Sequence, residues 1–190
     1  MRVAMFGGTF DPIHIGHLFI ADEVRTILGY DKIVFVPTYQ PPHKTERPEA
    51  SGDERVQMLR LALNGREDMT VDSWELEREK VTYTIETVRY LYDTMPIDGK
   101  LGLIIGDDLA TDFDSWKEAD ALIQTVDLIV AHRKGEDLPR GIEPFAAIDN
   151  SPMPVSSSEI RERVRLGKAF RYLVTESVYV FIQQHDLYRR

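Results

Sequence analysis

The chain has 190 residues, 43% of them hydrophobic and 29% charged, which favours a soluble globular protein with a single domain spanning residues 1–190. Its formal net charge of −9 argues against nonspecific binding to nucleic acid or to a membrane surface, because both need basic patches. The chain has no cysteine, which excludes disulfides, thiolate catalysis and cysteine-bound metal ions.

The first ten residues, MRVAMFGGTF, lack the apolar run of a signal peptide, and no stretch is long enough for a membrane span. Together with the lack of cysteine, this favours a cytoplasmic enzyme. The sequence leaves the oligomeric state open, including an assembly of identical chains.

Short apolar runs alternate with segments of helical periodicity along the chain. Strands are predicted at residues 3–6, 32–36, 69–73, 101–105 and 126–131, and helices at 18–28, 53–63, 84–92, 156–166 and 177–187. Nearly continuous apolar runs are typical of parallel strands that helices cover on both faces. We therefore expect an α/β fold with a doubly wound, mainly parallel, Rossmann-like sheet and a small helical part toward the C-terminus.

Several chemically distinctive residues directly follow predicted strands, namely Gly7, Pro37, Gly106 and His132. In open parallel sheets, ligands bind beside the carboxyl ends of the strands. We therefore expect the functional residues to meet at one edge of the sheet. Trp74 is assigned to packing, and the later set Phe170, Tyr172, Val178 and Phe181 has the spacing of core residues.

The most informative segment is residues 7–17, GGTFDPIHIGH, between the first predicted strand and the first predicted helix. His14 and His17 share a face at the helix start, where backbone N–H groups and the helix dipole attract anions. Their spacing disfavours a metal pair, since zinc-binding histidines on a helix are more often four apart. Gly16, between them, has no predicted role in core packing. The segment therefore predicts a phosphate site.

A second segment of this kind is residues 155–161, VSSSEIR. Ser156 and Glu159 have the spacing of a capping box, so a helix is expected to begin here, with Arg161 about one turn later. By itself this pattern is more typical of an ordinary capped helix with surface arginines. Its combination with the first segment favours a second phosphate-binding element.

Together the two segments resemble the nucleotidylyltransferase superfamily, which has a D-P-x-H-x-G-H turn and a later I-S-S-T-x-I-R segment. Within it, the chain looks like the bacterial nicotinate mononucleotide adenylyltransferases from end to end. The further matches are GGTFDP at 7–12, PPHK at 41–44, YTIET at 83–87, and IGDD at 105–108 followed by Trp116. The chain departs from the family at Asp107, where a small residue is common, and at Ser158, where threonine is usual.

The resemblance implies a nucleotidylyltransferase fold and transfer of AMP from ATP to nicotinate mononucleotide, with release of pyrophosphate. It implies that His14, His17 and Arg161 are catalytic and contact the ATP phosphates, with His17 near the α-phosphate. The other implied ATP contacts are Gly8, Thr9, Phe10, Gly106, Asp108, Arg133, Ser156 and Ser157. A Mg²⁺ ion would be held mainly by phosphate oxygens and water, without a metal site in the protein.

The mononucleotide is expected to bind on another surface. His43 and Lys44 lie on a proline-rich loop, where they are candidates to contact the substrate phosphate or to close over the triphosphate. A solvated loop without a binding role is the alternative. Trp116 is a candidate plate for the pyridine ring, although tryptophan is as often a core residue. Tyr83 and Thr84, at a helix start, are candidates for backbone donors to the nicotinate carboxylate.

Two alternatives remain open. A pantetheine-phosphate adenylyltransferase would use the same ATP half, but the glycine pair, the YT segment and Trp116 disfavour it. A nucleotide-binding sensor without catalysis would not need both histidines and Arg161.

Overall fold

The computed structural model describes residues 1–40, 47–131, 146–148, 151 and 153–189. The strands are β1 (Val3–Gly8), β2 (Lys32–Pro37), β3 (Met69–Val71), β4 (Leu101–Gly106), β5 (Val126–Ala131) and β6 (Ala146–Ile148). The α-helices are α1 (Ile15–Leu28), α2 (Gly52–Ala62), α3 (Trp74–Glu77), α4 (Thr84–Thr94), α5 (Asp107–Ala110), α6 (Ala119–Thr125), α7 (Ser157–Arg165) and α8 (Glu176–Gln184).

The six strands form one sheet in the order β3-β2-β1-β4-β5-β6, and every neighbouring pair is parallel. The chain order of the strands runs from β1 to β3 toward one edge of the sheet and from β4 to β6 toward the other edge. The direction of winding therefore reverses between the neighbouring strands β1 and β4. The predicted doubly wound α/β sheet is therefore confirmed. Its switch point lies between the ends of β1 and β4.

Two hydrophobic cores lie on opposite faces of the sheet. Successive β1 residues alternate between them, with Ala4 and Phe6 in one core and Val3 and Met5 in the other. Helices α1, α2, α7 and α8 contribute to the first core, and α4, α5 and α6 contribute to the second. None of the helices in the described ranges is both long and apolar enough to cross a membrane.

The ten predicted elements are all present, with ends that shift by at most three residues. Strand β3 ends earlier than predicted because the Asp72 carboxylate accepts the N–H of Trp74 at 2.9 Å, where α3 begins. Short elements were missed, among them β6 and α6. The prediction of a core position for Tyr172 is wrong, since this side chain is 87% exposed on the 3-10 turn Arg171–Leu173. Trp74 does pack, with its ring stacked on Tyr90 at 4.3 Å.

Candidate active site

A cavity of about 650 Å³ lies at the carboxyl ends of β1 and β4, the switch point of the sheet. The predicted site residues that line it are Gly8, Thr9, Phe10, His17, Tyr83, Thr84, Gly106, Asp108, Trp116, Ser156, Ser157 and Arg161. His14 is not among the lining residues. His43, Lys44 and Arg133 lie outside the described residues. The structure thus brings most of both predicted motifs to one cavity.

The two histidines form a stacked pair at the start of α1. His14 is the N-cap residue, and its ring lies 3.7 Å from that of His17, with 24° between the planes. Both rings are buried, with 3% and 8% exposed. His17 therefore forms part of the cavity wall, and His14 packs against it.

The tautomer of the neutral His17 ring follows from its hydrogen bond. Its Nδ1 accepts the backbone N–H of His14 at 3.3 Å, which assigns the proton of the neutral ring to Nε2. The rings of Phe6 and Phe10 meet the imidazole edge-on at centroid distances of 5.9 and 5.0 Å. These contacts fix the ring, so that Nε2–H is a donor with a set orientation.

Gly16 permits a close approach between the two motifs. A Cβ at this position would lie 3.0 Å from Cγ1 of Val155 and 3.1 Å from Nδ1 of His14. The expectation that Gly16 has no packing role is therefore wrong. Its missing side chain lets the segment before α7 lie against the start of α1.

The start of α7 is bound to the turn that follows β1. Ser156 caps the helix, and its hydroxyl accepts the N–H of Glu159 at 3.1 Å. The predicted capping box is only half formed, since the Glu159 carboxylate pairs with Arg163 at 2.8 Å. The Ser157 hydroxyl donates to the carbonyl of Pro12 at 2.8 Å. For an anion, Ser157 then offers its backbone N–H in the first helical turn.

The guanidinium group of Arg161 is hydrogen-bonded to other residues of the protein in this structure. Its Nη1 donates to the carbonyl of Asp11 at 2.8 Å, and its Nε donates to the Glu49 carboxylate at 2.7 Å. Arg165 pairs with the same carboxylate at 3.0 Å. A carboxylate thus lies between two guanidinium groups beside the cavity, so a phosphate would compete with Glu49 for Arg161.

A buried arginine that the sequence reasoning missed joins two loops below the cavity. Arg55 is 2% exposed, and its Nη1 donates to the carbonyls of Thr9 and Thr38, each at 2.8 Å. Burial lowers the pKa of this guanidinium, and the negative charge of Asp11 opposes that effect. Arg55 lies three and four residues before the core residues Met58 and Leu59, so it shares their face of α2. This spacing was the signal in the sequence for the burial of Arg55.

The opposite wall carries the residues predicted for the mononucleotide. Tyr83 is the N-cap of α4, and its N–H donates to the Glu86 carboxylate at 3.2 Å. Of the two predicted backbone donors, Thr84 is therefore the better placed. Trp116 is partly buried against Phe113, at 5.2 Å between ring centroids, and also lines the cavity. This position is compatible with a packing residue and with a plate for the pyridine ring, and the second role stays a prediction.

Asp107, where the chain departs from the family pattern, is buried at the first position of α5. Its carboxylate accepts the N–H of Asp108 at 3.0 Å. Asp108 lines the cavity, whereas Asp107 is absent from the described wall. The departure therefore adds no carboxylate to the wall as described.

Glu75 is a buried carboxyl group on the cavity wall. It accepts the hydroxyl of Thr87 at 2.5 Å and so joins α3 to α4. Burial raises the pKa of Glu75, although the hydrogen bond from Thr87 acts in the opposite direction.

This raised pKa predicts a pH-dependent stability. A carboxyl whose pKa is higher in the folded state stabilises the fold below its unfolded pKa, and the contribution is lost as the pH rises through the folded pKa. Between about pH 5 and pH 8, we expect the unfolding free energy of the wild type to fall relative to that of Glu75→Gln. Urea denaturation at both pH values measures the unfolding free energies of the two proteins. Glu77→Gln, exposed on the same helix, is the control, and parallel pH profiles for Glu75→Gln and wild type would contradict the assignment.

The chain matches a known family along most of its length. The family model described as Cytidylyltransferase-like matches residues 5–163. A protein of Borrelia garinii subsp. bavariensis, named "Probable nicotinate-nucleotide adenylyltransferase", is 40% identical over 188 residues, covering 99% of this chain and 95% of its own. A protein of Treponema pallidum subsp. pallidum with the same name is 34% identical over 203 residues, covering both chains completely.

Solved structures agree on the fold. The Plasmodium falciparum nicotinic acid mononucleotide adenylyltransferase complexed with NaAD superposes with a TM-score of 0.79 at 19% identity, covering 98% of this chain and 97% of that one. The same protein complexed with APC gives a TM-score of 0.76 at 19% identity, covering 98% and 96%. With a switch-point cavity that joins both motifs, and with relatives of this identity along its whole length, the chain belongs to the nicotinate-nucleotide adenylyltransferase family.

Proposed function

We propose that this protein transfers AMP from ATP to nicotinate mononucleotide, giving nicotinate adenine dinucleotide and pyrophosphate, a step in NAD biosynthesis. The observation that carries this proposal is the composition of the single cavity described above. Phosphate-type donors from α1 and α7 line one side of it, and Trp116 and the start of α4 line the other. The full-length similarity to relatives with the matching name supports the same reaction.

The proposed reaction requires correct positioning of the two substrates and does not require a protein nucleophile. A phosphate oxygen of the mononucleotide attacks the α-phosphorus of ATP. The bond from that phosphorus to the oxygen bridging to the β-phosphate breaks, and pyrophosphate leaves with the bonding electrons. Because the attacking phosphate is already ionised, no general base is needed, and the rate depends on alignment and on charge stabilisation.

His17 is the proposed donor to the α-phosphate oxygens, because its Nε2–H is fixed by the hydrogen bond on Nδ1 and by the edge-on contacts with Phe6 and Phe10. His14 is proposed to hold the ring of His17 by stacking on it, and so to affect phosphate binding indirectly. The start of α7, with Ser156, Ser157 and Arg161, is proposed to receive the β- and γ-phosphates once Glu49 releases the guanidinium.

The adenosine is proposed to lie along the residues at the ends of β1 and β4, namely Gly8, Thr9, Phe10, Gly106 and Asp108, with Arg133 as a further predicted contact. The nicotinate carboxylate is proposed to accept the N–H of Thr84 at the positive end of α4. An amide satisfies such a donor less well, so the acid form is preferred. His43 and Lys44 stay predictions for the substrate phosphate.

A Mg²⁺ ion is proposed to accompany ATP. No group of three or more acidic or histidine side chains able to hold a metal is present among the described residues, whereas donors suited to phosphate line the cavity. This fits an ion held mainly by phosphate oxygens and water. When bound, the ion neutralises part of the charge of the triphosphate. A cytoplasmic location is proposed as well, and a single domain over residues 1–190 is proposed to carry the whole activity.

Replacing Trp116 with alanine tests the substrate side of the cavity. Loss of ring stacking is expected to raise the KM for nicotinate mononucleotide roughly fivefold to tenfold, with the KM for ATP little changed. Initial rates at varied concentrations of each substrate measure the two constants. Trp74→Ala is the control, because Trp74 stacks on Tyr90 and is not part of the described cavity wall. An equal rise for both substrates would assign Trp116 to packing alone.

A substrate panel tests the function itself. The protein is incubated with ATP, Mg²⁺ and one of three acceptors: nicotinate mononucleotide, nicotinamide mononucleotide or phosphopantetheine. Pyrophosphate release is expected to be fastest with nicotinate mononucleotide. Release with phosphopantetheine alone would assign the sister activity, and ATP binding without release would assign a nucleotide-binding sensor.

A further inference from the structure

Tyr188 is buried in an unusual backbone setting after α8. Its side chain is 6% exposed and belongs to the same core as Phe6 and Phe10. The φ angles of Tyr188 and Asp186 are +63° and +52°, in the left-handed region that residues with a Cβ seldom adopt. The chain therefore turns back after the helix, and this turn brings the phenol into the core.

The Tyr188 hydroxyl forms a hydrogen bond with a residue of the first motif. It donates to Oδ1 of Asp11 at 2.8 Å, across 177 residues of sequence. Burial, with the nearby Asp11 charge, raises the pKa of Tyr188 above its ordinary value. The phenol therefore keeps its proton at neutral pH and remains a donor.

Asp11 connects this tyrosine to the nucleotide side of the cavity. Its carboxylate also accepts the N–H of Glu49 at 2.8 Å and the N–H of Ala50 at 3.1 Å. Its backbone carbonyl accepts Nη1 of Arg161 at 2.8 Å. Asp11 lines the cavity, whereas Tyr188 does not belong to the described wall. The hydroxyl of Tyr188 therefore reaches the cavity wall through Asp11.

We infer that Tyr188 is a positioning residue for the triphosphate site, holding through Asp11 the turn of residues 9–12, the Glu49 backbone and the guanidinium of Arg161 in one arrangement. This inference rests on the proposed function, because it takes ATP as the ligand of that turn. Without the hydroxyl, the Asp11 carboxylate loses one of the three donors that the described residues give it, and the turn can adopt other arrangements that bind phosphates less well.

Tyr188→Phe tests this inference by removing a single oxygen atom. We expect the Kd and the KM for ATP to rise roughly threefold to tenfold, while the KM for nicotinate mononucleotide stays at the wild-type value. Tyr172→Phe is the matched control, because that side chain is exposed, and it is expected to behave as wild type. A purely structural role would lower the melting temperature and the active fraction without a selective change for ATP.

A double variant tests whether the effect of Tyr188→Phe on ATP binding depends on Asp11. In an Asp11→Asn background, the ATP effect of Tyr188→Phe is expected to shrink, because the carboxylate that Tyr188 holds is already gone. Undiminished effects in both backgrounds would contradict the proposed route, and unchanged ATP affinity in Tyr188→Phe would overturn the inference.

Direct ATP titration without an acceptor separates this inference from the proposed function. If the wild type binds ATP but releases no pyrophosphate with nicotinate mononucleotide, the proposed function fails, and the comparison of ATP affinities still decides the role of Tyr188. If the wild type binds no ATP, both are wrong.

Discussion

His17→Ala is expected to lower turnover roughly 10²- to 10³-fold, with much smaller changes in either KM. The reason is the fixed orientation of the ring. Its Nδ1 is bound to the N–H of His14, and its edges are packed by Phe6 and Phe10, so Nε2–H needs no reorganisation when charge develops on the α-phosphate. Single-turnover measurements with saturating ATP and nicotinate mononucleotide report the chemical step directly.

The matched control is His185→Ala, which removes an exposed imidazole at the end of α8 and is expected to leave turnover unchanged. Circular dichroism establishes that both variants fold. Near-normal turnover of folded His17→Ala would show that another group stabilises the α-phosphate and would remove the histidine pair from the proposed mechanism.

Arg55→Met is expected to cause the largest loss of stability, about 3 kcal/mol in the free energy of unfolding. Methionine fills much of the space but leaves the partly buried carbonyls of Thr9 and Thr38 without their donor. It also removes a positive charge near the buried Asp11 carboxylate. Urea denaturation measures the change, and a fall in the melting temperature of roughly 6–12 °C should accompany it.

Arg60→Met provides the comparison on the same helix, because Arg60 is exposed. Its free energy of unfolding is expected to stay within about 0.5 kcal/mol of the wild-type value. Equal effects of the two substitutions would mean that the loss reflects α2 itself rather than the link between the Thr9 and Thr38 loops.

The elements with a local pattern could be predicted from the sequence. The continuous apolar runs of β4 and β5 and the amphipathic spacing of α4 are properties of neighbouring residues, and the structure confirms all three. The position of the histidines at a helix start follows in the same way. Tyr172 marks the limit, because aromatic spacing does not tell which side of a 3-10 turn faces solvent.

The rest of the site depends on contacts between distant segments, and these leave no periodic signal. The need for glycine at position 16 reflects in part the approach of Val155, and the pairing of Arg161 with Glu49 depends on the way the loop before α2 meets α7. The motifs therefore predicted candidate anion-binding residues, but not which protein groups already pair with those residues.

The turn at Asp11 and Pro12 receives hydrogen bonds from Ser157, Arg161 and Tyr188, which are 145, 150 and 177 residues away in sequence. Closing loops of such length carries an entropic cost that is recovered only when the whole sheet has formed. A half-folded chain consequently has no nucleotide pocket. Only the completely folded chain can then bind ATP. Saturation with ATP should therefore protect the protein against global unfolding and not only against local fraying.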